Sequence, residues 1–281
     1  MKVNEIKCKT VIGKCGFPSG GWSINPYVGC EHNCVYCYAR FMKRFTNHTE
    51  PWGNFTDVKT NAPKILEKQL HLKKYREGPI FIGTVTDPYQ PLEEKYKLTR
   101  KLLEILLPYN APVSILTKSD LVLRDLDLLK KFKSIEVNFT INTLDEKWKK
   151  YTEPNSSSVE ERLQAAKKLS EENIPVYAMV GPYWPEFTNP DELFKRFKEV
   201  GIRKVFSESF NTNGDNFIGV KKVLKENYLD LLSKFEEILF DNVFFEDFYT
   251  EAKEKLLTAS KKYSIPVEIF FGQGHKRKFK K

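Results

Sequence analysis

No stretch of 18 or more apolar residues occurs in this chain of 281 residues, so no helical membrane span is expected. The segment from Met1 to Lys7 lacks the apolar run of a secretory signal. Cysteine is scarce: there are five, and none follows Cys37. A disulfide framework would distribute its cysteines along the chain, so this clustering excludes one and points to a reducing, cytoplasmic setting. The four histidines form no H-x3-H pair, and no second C-x2-C accompanies the one at Cys34 and Cys37. No Gly-rich dinucleotide fingerprint is present. No Pro/Gly/Ser linker, low-complexity run or internal repeat divides the chain, so residues 1–281 are expected to form a single domain.

What the chain does have is Gly29-Cys30-Glu31-His32-Asn33-Cys34-Val35-Tyr36-Cys37-Tyr38, a C-x3-C-x2-C loop. Thiolates are the preferred ligands of iron–sulfur clusters. Three of them on one short loop suit three irons of a four-iron cluster, which leaves the fourth iron free for a small molecule. A purely electron-carrying site would normally close all four positions. The rival metal is structural zinc, which wants four N/S ligands. Its fourth ligand would have to come from Cys8, Cys15, His32, His48, His71 or His275, none of which is paired in sequence.

Apolar, β-rich runs alternate with helical patterns. The runs span 22–28, 79–85, 113–117, 135–141, 175–180 and 204–207, and helical spacing fills 61–70, 98–107, 119–132, 158–173 and 190–200. Six strands alternating with helices predict an α/β fold with a parallel sheet, and a barrel of βα units suits it better than a doubly wound sheet. The core is expected over about residues 20–210. A C-terminal cap follows over about 215–281, with helices predicted at 221–241 and 246–263 and a strand at 267–271.

Lys and Arg exceed Asp and Glu by nine. The excess ends in the run His275-Lys276-Arg277-Lys278-Phe279-Lys280-Lys281. Such a tail is suited to gripping phosphates, or is simply a solvated terminus.

The cluster loop resembles that of the radical S-adenosylmethionine (SAM) enzymes, with Tyr36 beside the last cysteine. Other segments extend the resemblance, over roughly residues 20–210, to the branch related to spore photoproduct lyase. They are the Asn25–Cys30 segment, Gly83-Thr84-Val85-Thr86-Asp87-Pro88-Tyr89-Gln90-Pro91, Thr117-Lys118-Ser119, Asn138 to Asp145, and Glu153-Pro154 with Arg162. This resemblance implies a partial (β/α)6 TIM-type barrel with a C-terminal helical extension, and a site at the C-terminal ends of the strands.

The resemblance further implies a lyase-like enzyme with a [4Fe–4S] cluster on Cys30, Cys34 and Cys37. SAM would chelate the open iron and be cleaved reductively to a 5′-deoxyadenosyl radical. An electron donor such as ferredoxin or flavodoxin would serve it. Tyr36 is expected at the adenine. Thr86, Lys118 and Thr140, at or just after predicted strands, are expected at the ribose and methionyl group, and Lys118 suits the SAM carboxylate. Arg162 is a second cation for that carboxylate. Each has a plainer role open to it: Thr140 as a β-former, Lys118 as a loop lysine, Arg162 paired with Glu153 or Glu161.

One departure stands out. The lyase's hydrogen-donating cysteine registers with Thr84 here. An O–H bond is far harder to cleave homolytically than S–H, so spore-photoproduct repair is not expected and the substrate is left open. A radical enzyme acting on nucleic acid, or a non-catalytic nucleic-acid-binding protein with a structural metal, are the alternatives that the basic charge allows.

Overall fold

The computed structural model describes residues 1–16 and 20–272; the basic tail from His275 lies outside the described residues. Eleven strands occur among them: β1 (Lys2–Ile6), β2 (Ile12–Lys14), β3 (Trp22–Ile24), β4 (Tyr27–Val28), β5 (Phe55–Lys59), β6 (Ile80–Ile82), β7 (Val113–Thr117), β8 (Ile135–Thr140), β9 (Val176–Val180), β10 (Lys204–Glu208) and β11 (Val267–Phe270). The α-helices are α1 (Ala62–Leu70), α2 (Leu92–Tyr96), α3 (Leu98–Leu106), α4 (Leu126–Leu129), α5 (Glu146–Thr152), α6 (Val159–Glu171), α7 (Pro190–Glu199), α8 (Asn216–Asn227), α9 (Leu229–Phe240) and α10 (Asn242–Tyr263).

The main sheet runs β11-β10-β9-β8-β7-β6-β3-β2. All neighbouring pairs are parallel except β2 with β3. It is the expected α/β architecture, an open partial barrel rather than a closed one. Its central strands bury the face that the crossing helices cover, while Glu136, Tyr177 and Met179 on the other face are half-buried. Val113, Ile115, Val137, Phe139, Val176, Ala178 and Val180 are all buried. Helix α6 is set by a capping box between Ser158 and Glu161, and buries Val159, Leu163, Ala166 and Leu169 as its spacing predicts.

The run at 22–28 is not one strand. Pro26 has no N–H for a ladder, and Asn25 turns the chain: its amide donates to Thr84 Oγ1 at 2.9 Å while its Oδ1 accepts from Val85 N at 3.0 Å. The chain therefore leaves the main sheet after β3 and enters a second sheet, β1-β5-β4, through β4. Neither β1 nor β5 was expected from the sequence pattern. The stretch 119–132 is a 3-10 turn (Asp120–Asp125) followed by the short α4 rather than one helix. Here Asp120 accepts from Ser157, and the buried Asp125 holds Arg100 and Arg124, so tertiary partners fix these side chains.

The helix expected at 221–241 is also two, α8 and α9, broken at Tyr228 (φ −148°, ψ 52°). Tyr228 packs edge-on to Phe187 and Trp148, at centroid distances of 5.1 and 5.6 Å. That packing outweighs the helical spacing. The C-terminal region is more than a cap, because β11 adds a seventh parallel strand beside β10.

Candidate functional site

The cysteine loop leaves β4 through Gly29, which sits at φ +87°. A Cβ there would stand 2.3 Å from the carbonyl oxygen of Phe55, so no other residue fits. The loop carbonyls and amides are then tied down from four directions. Gln90 accepts from Glu31 N at 2.9 Å. Asn155 donates to Glu31 O at 2.8 Å, and Val35 N donates to Thr152 O at 2.9 Å. Arg40 wraps the far end, donating to Val35 O at 2.8 Å, Cys37 O at 3.0 Å and Cys34 O at 3.5 Å. Sequence reasoning passed over Arg40; its signal was a cation placed three residues beyond the last cysteine.

Cys30 and Cys34 are buried and Cys37 is nearly so. Burial pushes all three thiols up, Cys30 to about 12 with the Asp87 charge adding to the effect. Buried thiols resist ionisation, and a bound metal would stabilise their thiolate form. The backbone N–H groups of Asp87 and His32 face the Cys30 sulfur, and the Ala39 N–H and Trp52 indole face that of Cys37. Donors of this kind around sulfur tune a cluster's potential. Among the described residues, no three His, Cys, Asp or Glu side chains converge on one point as a single ion needs. In a four-iron cluster each thiolate takes its own iron, so the three sulfurs need share no such point. The donor chemistry thus fits a cluster.

Beside the loop, the ends of β6, β7 and β8 bring in polar groups. Asp87 is the hub. Its carboxylate accepts from Thr117 Oγ1 and Lys118 N, both at 2.7 Å, and from Tyr89 N at 2.9 Å, with His32 Nδ1 at 3.3 Å. Burial alone would raise its pKa, but His32, Lys118 and the Thr117 hydroxyl bring it down to about 2. The turn Asp87–Pro91 therefore walls the site and fixes the backbone of Lys118.

The Lys118 ammonium lies 6.0 Å from the centre of the Tyr36 ring. Desolvation pulls its pKa down, but Cys34, Glu153 and Asp87 more than offset this and hold it raised. Glu153 is the second hub. It accepts from the Tyr36 hydroxyl with one oxygen and from Arg162 Nη2 with the other. Burial opposes its charge, yet Arg162 and Lys118 keep its carboxyl below the ordinary range.

Arg162 is only 1 % exposed. Its fork reaches Thr140 O at 2.8 Å and Ser157 O at 3.0 Å as well as Glu153. The plainer role, pairing with Glu153, is the one the geometry presents. Thr140 closes β8 and is buried. Thr86 is 5 % exposed, and its hydroxyl finds no partner among the described residues. It lines a cavity of about 180 Å³ together with Asn25, Lys59, Met42 and Val85. The Tyr36 ring packs edge-on to Trp184 at 5.3 Å.

Cys8 is held by Asn61 through both backbone groups, at 2.8 and 3.0 Å, and Cys15 is buried after β2.

The family model described as the radical SAM superfamily matches residues 24–189. An uncharacterised protein of Methanocaldococcus jannaschii is 42% identical over 198 residues, spanning 70% of this chain and 74% of the relative. One from Acidianus two-tailed virus is 30% identical over 223 residues, spanning 74% and 73%. Among solved structures, a spore photoproduct lyase mutant with bound AdoMet and dinucleoside spore photoproduct superimposes with a TM-score of 0.70 at 17% identity. It covers 94% of this chain and 80% of that one.

Proposed function

This chain is a member of the radical SAM superfamily, and from that premise we propose that Cys30, Cys34 and Cys37 hold a [4Fe–4S] cluster whose fourth iron binds SAM. The observation that carries the reading is the trio of thiols, two buried and the Cys37 thiol partly so, on a loop anchored at the C-terminal ends of parallel strands, with a raised-pKa lysine beside it. Cluster and SAM together supply one-electron cleavage to methionine and a 5′-deoxyadenosyl radical. The chain's own part is to bind, orient and exclude water.

Lys118 supplies the cation for the SAM carboxylate, its backbone fixed by Asp87. Thr86 offers a buried, unpartnered hydroxyl, and Thr140 a second hydroxyl at the end of β8, for the ribose and methionyl group. Tyr36 is held upright by Glu153 for the adenine. Arg162 acts through Glu153 as a positioning residue rather than at the carboxylate. Barrel and cap act as one domain, because β11 completes the sheet that α10 packs beside. Among the described residues no helix is long and apolar enough to cross a membrane.

Enzyme membership displaces the non-catalytic alternative. For the substrate, the net charge of +9 favours nucleic acid. Thr84, in place of a thiol, favours a reaction other than photoproduct repair. Its hydroxyl is already engaged by Asn25. The test is anaerobic reconstitution with iron and sulfide analysis, followed by reduction with SAM. Four irons per chain, a SAM-induced change in the electron paramagnetic resonance signal and release of 5′-deoxyadenosine are expected. Zinc alone, or a cluster indifferent to SAM, would refute the reading.

A further inference from the structure

The chain leaves the cysteine loop in a 3-10 helix, Tyr38–Phe45. Ala39 points inward against Cys30, Trp52 and Phe55. Phe41 and Phe45 face outward and are 41 and 66 % exposed, whereas the Tyr38 hydroxyl turns back to donate to Thr84 O. Apolar side chains on a helix normally face the core; here the two phenylalanines form an apolar surface on the element that follows Cys37. Its charge is of one sign. Arg40, Lys43 and Arg44 lie in the segment and no acid does. The nearest acids in sequence are engaged elsewhere: Glu50 pairs with Lys2 at 2.9 Å, and Glu31 accepts from Leu92 N. Arg44 makes no ion pair among the described residues. Its guanidinium lies over the rings of Phe45 and Phe41, at 4.7 and 5.3 Å.

We infer that this face docks an acidic electron-carrier protein that reduces the cluster. The inference rests on the cluster reading above and adds where its electron enters. Aromatic rings and arginine are the groups enriched in the cores of protein interfaces. Electron-transfer encounters are small, transient and guided by charge. The face also touches the cluster loop directly. Tyr38 follows Cys37, and Arg40 grips three loop carbonyls from the same helix.

A single-stranded nucleic acid fits less well. Bases need free ring faces to stack on, and Arg44 already covers two of them. In the step itself the carrier loses one electron and the cluster gains it. No bond is made or broken.

The test compares two reductants on the reconstituted protein. A reduced acidic 2[4Fe–4S] ferredoxin uses the face, whereas dithionite does not need it. Arg44→Glu, and separately the double change Phe41→Ser with Phe45→Ser, should slow bleaching of the cluster by ferredoxin about tenfold, as loss of charge steering does. Bleaching by dithionite should be unchanged, and the ferredoxin rate of the parent should fall with salt. Equal ferredoxin rates in parent and variants would overturn the inference. So would loss of single-stranded DNA binding in the variants with ferredoxin rates intact. Broadening of the oxidised ferredoxin's amide resonances by added protein, weaker with Arg44→Glu, reads the surface without cluster chemistry. A parent lacking iron would instead overturn the cluster reading, and this measurement would still decide the surface.

Discussion

The carbonyl oxygen of Val35, in the middle of the cysteine loop, lies 2.7 Å from where a Cβ on Gly219 would stand. The Val35 Cβ is nearly as close, at 2.8 Å. Helix α8 thus rests its backbone on the loop from one side, while Thr152 at the end of α5 holds the Val35 amide from the other. The C-terminal region therefore helps to fix the geometry of the site.

That contact reverses an ordinary expectation. Replacing glycine by alanine inside a helix should stabilise it by about 1 kcal/mol. For Gly219→Ala the overpacking cost of about 1–3 kcal/mol should dominate. Urea unfolding should show a lower midpoint, and reconstituted protein should lose iron faster in air. Gly219→Ala as stable as the parent would mean that α8 is free to move off the loop.

Cysteine substitutions should divide into two groups. Cys30→Ala, Cys34→Ala and Cys37→Ala should each abolish the broad visible absorbance of the reconstituted protein. Cys8→Ala and Cys15→Ala should retain it, because Cys8 is committed to Asn61 and Cys15 to the hairpin ending at β3. Equal loss with Cys8→Ala would show a fourth protein ligand.

Lys118→Ala should separate cofactor binding from metal binding. Iron content should stay at the parent level, since Lys118 is no ligand, while SAM affinity measured by equilibrium dialysis should fall at least tenfold. A charge-assisted contact contributes about 1.5–3 kcal/mol, which covers that change. Lys118→Arg should recover part of it. Unaltered SAM affinity in Lys118→Ala would return the residue to a structural role.

The pair Arg162–Glu153 should behave as a buried ion pair. Arg162→Met leaves the buried Glu153 without its direct ion-pair partner, with Lys118 as the remaining cation nearby, at a cost of up to about 3–5 kcal/mol. Adding Glu153→Gln to Arg162→Met should restore much of that stability in thermal unfolding. SAM affinity in the double variant should remain within a few-fold of the parent if Arg162 acts only through Glu153. A loss as large as that in Lys118→Ala would place Arg162 on SAM itself.

Local chemistry made the cluster loop legible. The spacing of Cys30, Cys34 and Cys37 is a property of ten consecutive residues, and thiolate preference needs no tertiary information. The alternation of strands and helices and the buried stripe of α6 were legible for the same reason. The division into two sheets was not. Whether Trp22 to Val28 continues or turns depends on Asn25 meeting Thr84 and Val85, residues some sixty positions away. The break at Tyr228 depends on Trp148 and Phe187, which no periodicity in α8 or α9 records. Arg162 illustrates the division most clearly. Its charge and its place near the site could be read from the chain. Only the fold decided that its fork is spent on Glu153, Thr140 and Ser157, because a buried guanidinium takes whatever acceptors packing places around it.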